Sequence, residues 1–77
     1  MKISYYAVRL FNEDIEKREN EIFTLANTYG VMEVKDKKRI MFFIFKTRRQ
    51  AQDFADELYE SYKSSVKVME WFKESED

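Results

Sequence analysis

The run Ile40–Phe45 is the most apolar stretch of the chain and predicts a central strand. All six residues are hydrophobic, and β-branched and aromatic side chains dominate, as they do in strands. Alternation along a strand divides them between two faces, with Ile40, Phe42 and Ile44 on one side and Met41, Phe43 and Phe45 on the other. Because both faces are apolar, we expect the chain's own helices to cover one face and a partner to cover the other.

The rest of the pattern predicts one strand–helix–strand unit before this central strand and one helix–strand unit after it. The predicted elements are a strand at 2–11, a helix at 12–29, a strand at 31–35, the central strand at 38–46, a helix at 47–63 and a strand at 66–72. Residues 12–21 are nearly all charged, which leaves open a loop in place of the first helical turns. Polar residues 36–38 separate two strands, without the Asn-Gly or Asp-Gly of a tight hairpin.

Local signals mark the helix ends. Asn12 suits the N-cap of the first helix, and Gly30, the only glycine, suits the left-handed residue that follows its last turn. Thr47 and Gln50 have the spacing of a capping box. The second helix has the clearest apolar stripe, formed by Ala51, Phe54, Ala55, Leu58 and Tyr62.

This order of elements predicts an α+β, ferredoxin-like βαββαβ sandwich in a single domain of residues 1–77. Its four-stranded antiparallel sheet has the order 4-1-3-2, and two helices lie on one face. The other face, here called the open face, is the candidate interaction surface. Its predicted residues are Tyr5, Arg9, Ile40, Phe42, Ile44, Met69 and Trp71. A large apolar patch on a small monomer indicates an interaction site.

Composition excludes several kinds of chemistry. The chain has no Cys and no His, so the usual zinc sites and the Ser-His and Cys-His nucleophiles are absent. We expect no catalytic residues, metal or cofactor. The longest apolar run has six residues, too short for a membrane span. The N-terminus lacks the features of a signal peptide, and a cytoplasmic location is the default expectation.

Charge is unevenly distributed along a chain whose formal net charge is −1. Residues 31–49 are strongly basic, whereas both helices carry acidic groups. The basic segment supplies the possible anion or partner contacts: Lys37, Lys38, Arg39, Lys46, Arg48 and Arg49. A helix N-terminus beside arginines can hold an anion, although Arg48 and Arg49 can equally extend into solvent or pair with Asp53. The acidic helix faces can be simply solvated or can dock on a basic surface.

The third strand also carries a basic residue followed by aromatic positions. Lys38, Ile40, Phe42 and Phe45 occupy these places, and Tyr6 lies near the matching aromatic of the first strand. In this respect the chain resembles an RNA-recognition motif. Arg39 and Ile40 depart from that family, which has a glycine and a stacking aromatic there. The resemblance implies binding of single-stranded nucleic acid by stacking on the sheet.

The leading hypothesis is a small non-enzymatic interaction module that binds a partner protein or a second copy of itself through the open face. Its size and composition suit a phage- or plasmid-type accessory protein that inhibits or regulates a host complex. The alternative is a module that binds single-stranded nucleic acid. A small enzyme or ligand-binding domain ranks third, because the ferredoxin-like fold hosts many functions.

Overall fold

The computed structural model describes residues 2–74. Their elements are β1 (Lys2–Phe11), α1 (Asn12–Glu16), α2 (Glu19–Thr28), β2 (Glu33–Lys37), β3 (Ile40–Phe45), α3 (Arg48–Tyr62) and β4 (Lys67–Glu74). All strand pairs are antiparallel, and the sheet order is β2-β3-β1-β4. This is the predicted order, and the ferredoxin-like fold is confirmed.

The core lies between the sheet and the helices. Strand register places Tyr6 opposite Phe45, Val8 opposite Phe43 and Leu10 opposite Met41 on the helix side. The fully buried members of this core are Val8, Leu10, Ile22, Ala26, Phe43, Phe45, Ala51, Phe54 and Leu58. The apolar helix side of the sheet and the apolar stripe of α3 therefore pack against each other, as the sequence predicts.

The first predicted helix is two helices, so the prediction of two helices in all is wrong in number. Arg18 interrupts the helical path with φ −142° and ψ 34°. Its N–H donates to the carbonyl of Ile15 at 2.9 Å, and its own carbonyl accepts from the N–H of Ile22 at 2.9 Å. Residues 16–21 are all exposed and polar, so no packing against the sheet opposes the break.

Asn12 does not act as the predicted N-cap. Phe11 occupies that position without a side-chain cap, and Asn12 is the first helical residue. The Asn12 side-chain amide donates to the carbonyl of Lys38 at 2.6 Å, and its N–H donates to the carbonyl of Arg39 at 2.8 Å. Asn12 therefore ties the start of α1 to the turn between β2 and β3.

That turn is tighter than the sequence indicates. Lys37 pairs with Ile40, which leaves a loop of two residues, Lys38 and Arg39. Lys38 has φ +59°, a conformation that glycine or asparagine usually supplies in such hairpins. As a result β2 ends two residues later than predicted.

The capping box of α3 forms as predicted. The N–H of Gln50 donates to the Thr47 hydroxyl at 3.2 Å, and the N–H of Thr47 donates to the Gln50 side-chain oxygen at 3.1 Å. At the other end of α3, the Tyr62 hydroxyl donates to a carboxylate oxygen of Glu21 in α2 at 3.1 Å. This bond, together with burial, raises the pKa of Tyr62.

Candidate interaction face

Strand register defines the open face. Residues 3, 5, 7, 9 and 11 of β1 share it with alternate residues of the other three strands. Its apolar members are Ile3, Tyr5, Ala7, Phe11, Ile40, Phe42, Ile44, Met69 and Trp71, and its charged members are Arg9, Glu33, Lys35, Lys37, Lys67 and Lys73. All seven residues of the predicted interaction surface therefore lie on one side of the sheet, opposite the helices.

The centre of the open face is an aromatic pair. The ring centroids of Phe42 and Trp71 are 5.0 Å apart, with 43° between the ring planes. Phe42 stands opposite Arg9 and Trp71 opposite Tyr5 on the two sides of β1, so the rings meet over Ala7. The small alanine side chain leaves room for this contact between side chains of β3 and β4.

Part of the predicted open face is buried beside this aromatic pair. Ala7 and Ile44, which stand opposite each other, are 0% exposed. Ile44 therefore lies on the predicted face but offers no accessible surface to a partner. Tyr5, Ile40, Phe42, Met69 and Trp71 are half-buried and accessible. The available apolar surface is thus narrower than alternation alone predicts.

An ion pair spans the sheet beside the rings. Lys73 on β4 donates to a carboxylate oxygen of Glu33 on β2, and these are the two outer strands. This hydrogen bond holds the pKa of Glu33 below its usual range, despite the opposing effect of burial. The same bond raises the pKa of Lys73. Lys35 also lies near Glu33, at 3.6 Å.

Basic side chains on three of the four strands lie in one row across the sheet. The register aligns Lys35, Phe42, Arg9 and Lys67, and we call Lys35, Arg9 and Lys67 the basic row. The Arg9 guanidinium lies 5.5 Å from the centre of the Phe11 ring. Among the side chains of residues 3–73, Arg9 and Lys67 make no ion pair. Half-buried Arg9 therefore carries an uncompensated charge beside the aromatic pair.

The two sides of the molecule carry opposite charge. The open face has five basic residues and one acidic residue, a formal charge of +4. The three helices contain two basic residues and nine acidic residues, a formal charge of −7. The acidic members are Glu13, Asp14, Glu16, Glu19, Glu21, Asp53, Asp56, Glu57 and Glu60. Strand register produces this separation, which the charge along the chain does not display.

The other predicted basic contacts do not form one site. Lys37, Lys38 and Arg39 lie at the β2–β3 turn, whereas Lys46, Arg48 and Arg49 follow the opposite end of β3. Six strand residues separate the groups by about 20 Å. Only Lys37 lies in register on the open face. The predicted anion contacts are thus two separate clusters.

The arginines at the start of α3 face away from the open face. Arg49 is 91% exposed and lies 3.8 Å from Asp53, one turn later. Arg48 lines an open groove between α3 and β4, together with Tyr59 and Lys63. Because this groove has mixed charges and polar walls, it offers weaker grounds for an interaction site than the open face.

The positions that resemble an RNA-recognition motif are divided between the two sides. Tyr6 and Phe45 stand opposite each other on the helix side, where Phe45 is 0% exposed. Phe42 and Ile40 lie on the open face, and Lys38 lies in the turn. Phe45 is therefore part of the core, and Tyr6 packs against that core on the helix side, so neither shares the open face with Phe42.

Among the side chains of residues 3–73, no group of three acidic, His or Cys residues is placed to hold a metal ion. None of the helices in this part of the chain is long and apolar enough to cross a membrane.

No family model and no curated protein matches the chain. Solved structures do match its fold. One is the crystal structure of a protein from Thermus thermophilus that is described as a PII-like signaling protein, with a TM-score of 0.55 and 12% sequence identity. The match covers 95% of this chain and 88% of that one. At this identity, the likeness shows a shared fold.

Proposed function

We propose that the chain is a small, non-enzymatic interaction module of the regulatory type, and that it binds a partner protein through the open face. The observation that carries this proposal is the accessible Phe42–Trp71 pair, held 5.0 Å apart on the face that no helix covers. Aromatic side chains with a charged rim are common anatomy for a protein interface. The signaling role described for the fold neighbour supports a regulatory role by analogy only.

The test compares two adjacent aromatic residues of β4. Trp71 lies on the open face, whereas Phe72 lies on the other side of the sheet and is 59% exposed. Wild-type protein, Trp71→Ala and Phe72→Ala are each used to capture proteins from a lysate of the organism that encodes the chain. We expect Trp71→Ala alone to lose the captured partner. Equal capture by all three would contradict the proposal.

Self-association is the other form of protein binding considered. Two copies stacked by their open faces would bring two surfaces of formal charge +4 together, which costs free energy. We therefore favour a foreign partner over a homodimer. Light scattering decides this point, because a homodimer doubles the mass measured for the isolated chain. The identity of the captured protein then tests whether the module inhibits a host complex, as a phage- or plasmid-type accessory protein would.

Binding of single-stranded nucleic acid is the second candidate. The observation in its favour is the basic row beside Phe42, since aromatic rings flanked by cations suit bases and phosphates. Nuclease treatment before capture separates the candidates. Loss of all captured material after nuclease treatment would support this alternative, and binding would then weaken steeply as salt is raised.

A further inference from the structure

We infer that the partner docks on the open face with an extended acidic segment, whose carboxylates bind Arg9 and the lysines of the basic row. This inference rests on the proposed function and adds the chemistry of the partner. The aromatic pair gives the face its apolar centre, but no acidic side chain of residues 3–73 compensates Arg9 or Lys67. The uncompensated positive charge therefore indicates that the partner is acidic, which the apolar centre alone does not indicate.

Arg9 is the central group of this site. Its position on inner strand β1 makes the residue half-buried, and the Phe11 ring 5.5 Å away restrains the guanidinium. A guanidinium presents a planar fork of donors that matches a carboxylate with two parallel hydrogen bonds. A half-buried side chain has less conformational freedom to lose on binding than a fully exposed one, which favours a specific ion pair over loose attraction.

The lysines extend the site across the sheet. Lys67 stands opposite Arg9 on the adjacent strand, and Lys35 lies on the far outer strand. Three strand spacings separate Lys35 from Lys67, about 14 Å. An extended segment of about five residues covers that distance, and its alternate side chains lie on one side. Acidic residues at alternate positions would therefore meet the row, while the intervening residues remain free.

Charge argues against a second copy as the occupant. Stacked open faces would bring together two surfaces that each carry a formal charge of +4. Nucleic acid is also less favoured, because the chain has a net charge of −1 and its helices carry a formal charge of −7. A nucleic-acid-binding domain usually has a basic balance. A short acidic protein segment contacts only the basic open face, so its binding does not require a net positive charge on the whole chain.

Titration with peptides tests this inference. Trp71, the only tryptophan, reports binding by its fluorescence. The probes are a peptide of about ten residues with Glu at every second position and the same peptide with Gln in those places. We expect saturable binding of the Glu peptide and at least about tenfold weaker binding of the Gln peptide, because charge-assisted hydrogen bonds are lost.

A pair of charge variants locates the contact. Arg9→Gln should weaken binding of the Glu peptide by about tenfold. Arg49→Gln removes the same charge from the helix side, where Arg49 is 91% exposed, and should change affinity by less than about twofold. If Arg9→Gln lowers the melting temperature, Lys67→Gln on the exposed edge strand serves as the second test and should weaken binding as well.

Several results would overturn the inference. They are equal binding of the two peptides, equal effects of Arg9→Gln and Arg49→Gln, no binding of the Glu peptide up to about 1 mM, and tighter binding of an oligothymidylate than of the Glu peptide. Failure here is distinguishable from failure of the proposed function. If Trp71→Ala loses a captured partner that Arg9→Gln retains, the open face is the working surface but its partner is not acidic.

Discussion

Gly30 ends α2 with φ +86°. Its N–H donates to the carbonyl of Asn27 at 3.1 Å, and the N–H of Val31 donates to that of Ala26 at 3.0 Å. These two bonds form a Schellman motif, which satisfies carbonyls at the helix end. The position of the glycine just after the last helical residue predicts this conformation from the sequence.

Substitution of Gly30 by Ala should destabilise the protein by at least about 1 kcal/mol, because a left-handed conformation is unfavourable for a residue with a Cβ atom. That atom would also lie 2.7 Å from the Gln50 side-chain nitrogen, so the capping box of α3 would have to shift. Chemical denaturation measures the change. Unchanged or increased stability would show that the conformation is not strained by a side chain.

Lys63 also adopts a left-handed conformation, but as a residue with a Cβ atom it is strained there. It follows α3 with φ +56°, and its N–H donates to the carbonyl of Tyr59 at 3.0 Å. Lys63→Gly should stabilise the protein by up to about 1 kcal/mol, measured by denaturation. Glu60→Gly, inside the same helix, is the control and should lose about 1 kcal/mol. A loss at both positions would contradict the left-handed conformation of Lys63.

Positive φ angles at lysines are beyond what residue type can predict. Lys38 and Lys63 both adopt them, although lysine has no side-chain group that favours the left-handed region. At Lys38 the register of the two paired strands fixes the turn. The Asn12 amide bond to the Lys38 carbonyl then holds it. The Asn12 contact links residues 26 positions apart in the sequence, which is why local signals misplaced the N-cap, and the turn itself contains no glycine or asparagine that would mark it.

At the scale of elements, α3 is anchored by Phe54. The Phe54 ring lies 5.3 Å from that of Phe43, 5.2 Å from Phe45 and 6.4 Å from Tyr29. It therefore joins α3 to the central strand and to the residue that follows α2. The apolar spacing of this helix was sufficient to predict its buried side.

Phe54→Ala should destabilise the protein by about 3–5 kcal/mol, since a fully buried aromatic leaves a cavity. This is a large part of the stability of a small domain. Tyr59→Ala is the matched control on the same helix, because Tyr59 is 60% exposed. A similar melting temperature for both variants and the wild type would remove Phe54 from the core.

The Glu33–Lys73 pair predicts a pH dependence for the sheet. The folded pKa of Glu33 lies below its usual value of 4.5, so its contribution to stability is complete above that value and is lost as pH falls through the folded pKa. The folded pKa of Lys73 lies above 10.5, so its contribution is complete below 10.5 and is lost as pH rises through the folded value.

Glu33→Gln removes the pair and should reduce stability between about pH 5 and pH 10. The difference between the wild type and this variant should shrink below pH 4.5 and above pH 10.5, the ordinary values of the two groups. Denaturation across pH measures that difference. A constant difference at all pH values would show that the ion pair does not contribute.

At the scale of the whole molecule, the sheet separates two surfaces of opposite charge. Alternation along the strands was sufficient to predict which side Tyr5, Phe42 and Trp71 occupy. The basic row was not predictable in the same way. Lys35, Arg9 and Lys67 are distant in the sequence and meet only through the register of four strands.

The extent of the accessible apolar surface on the open face also could not be predicted from the sequence. Ile44 shares a face with Phe42, yet it is fully buried. On the same face, the Phe42 and Trp71 rings meet across β1, and Lys73 on β4 reaches across the sheet to Glu33, which stands opposite Ile44. Which side chains cover others within one face depends on their size and rotamers, and alternation carries no such information.

The most direct test of the open face as the working surface is hydroxyl-radical footprinting of the chain, free and bound to its captured partner. Oxidation of Trp71, Met69 and Tyr5 should slow on binding, because all three are accessible on the open face. Oxidation of Tyr59 and Phe72, which are about equally exposed away from that face, should not change. Protection of Tyr59 and Phe72 with unchanged oxidation of Trp71 would contradict the account.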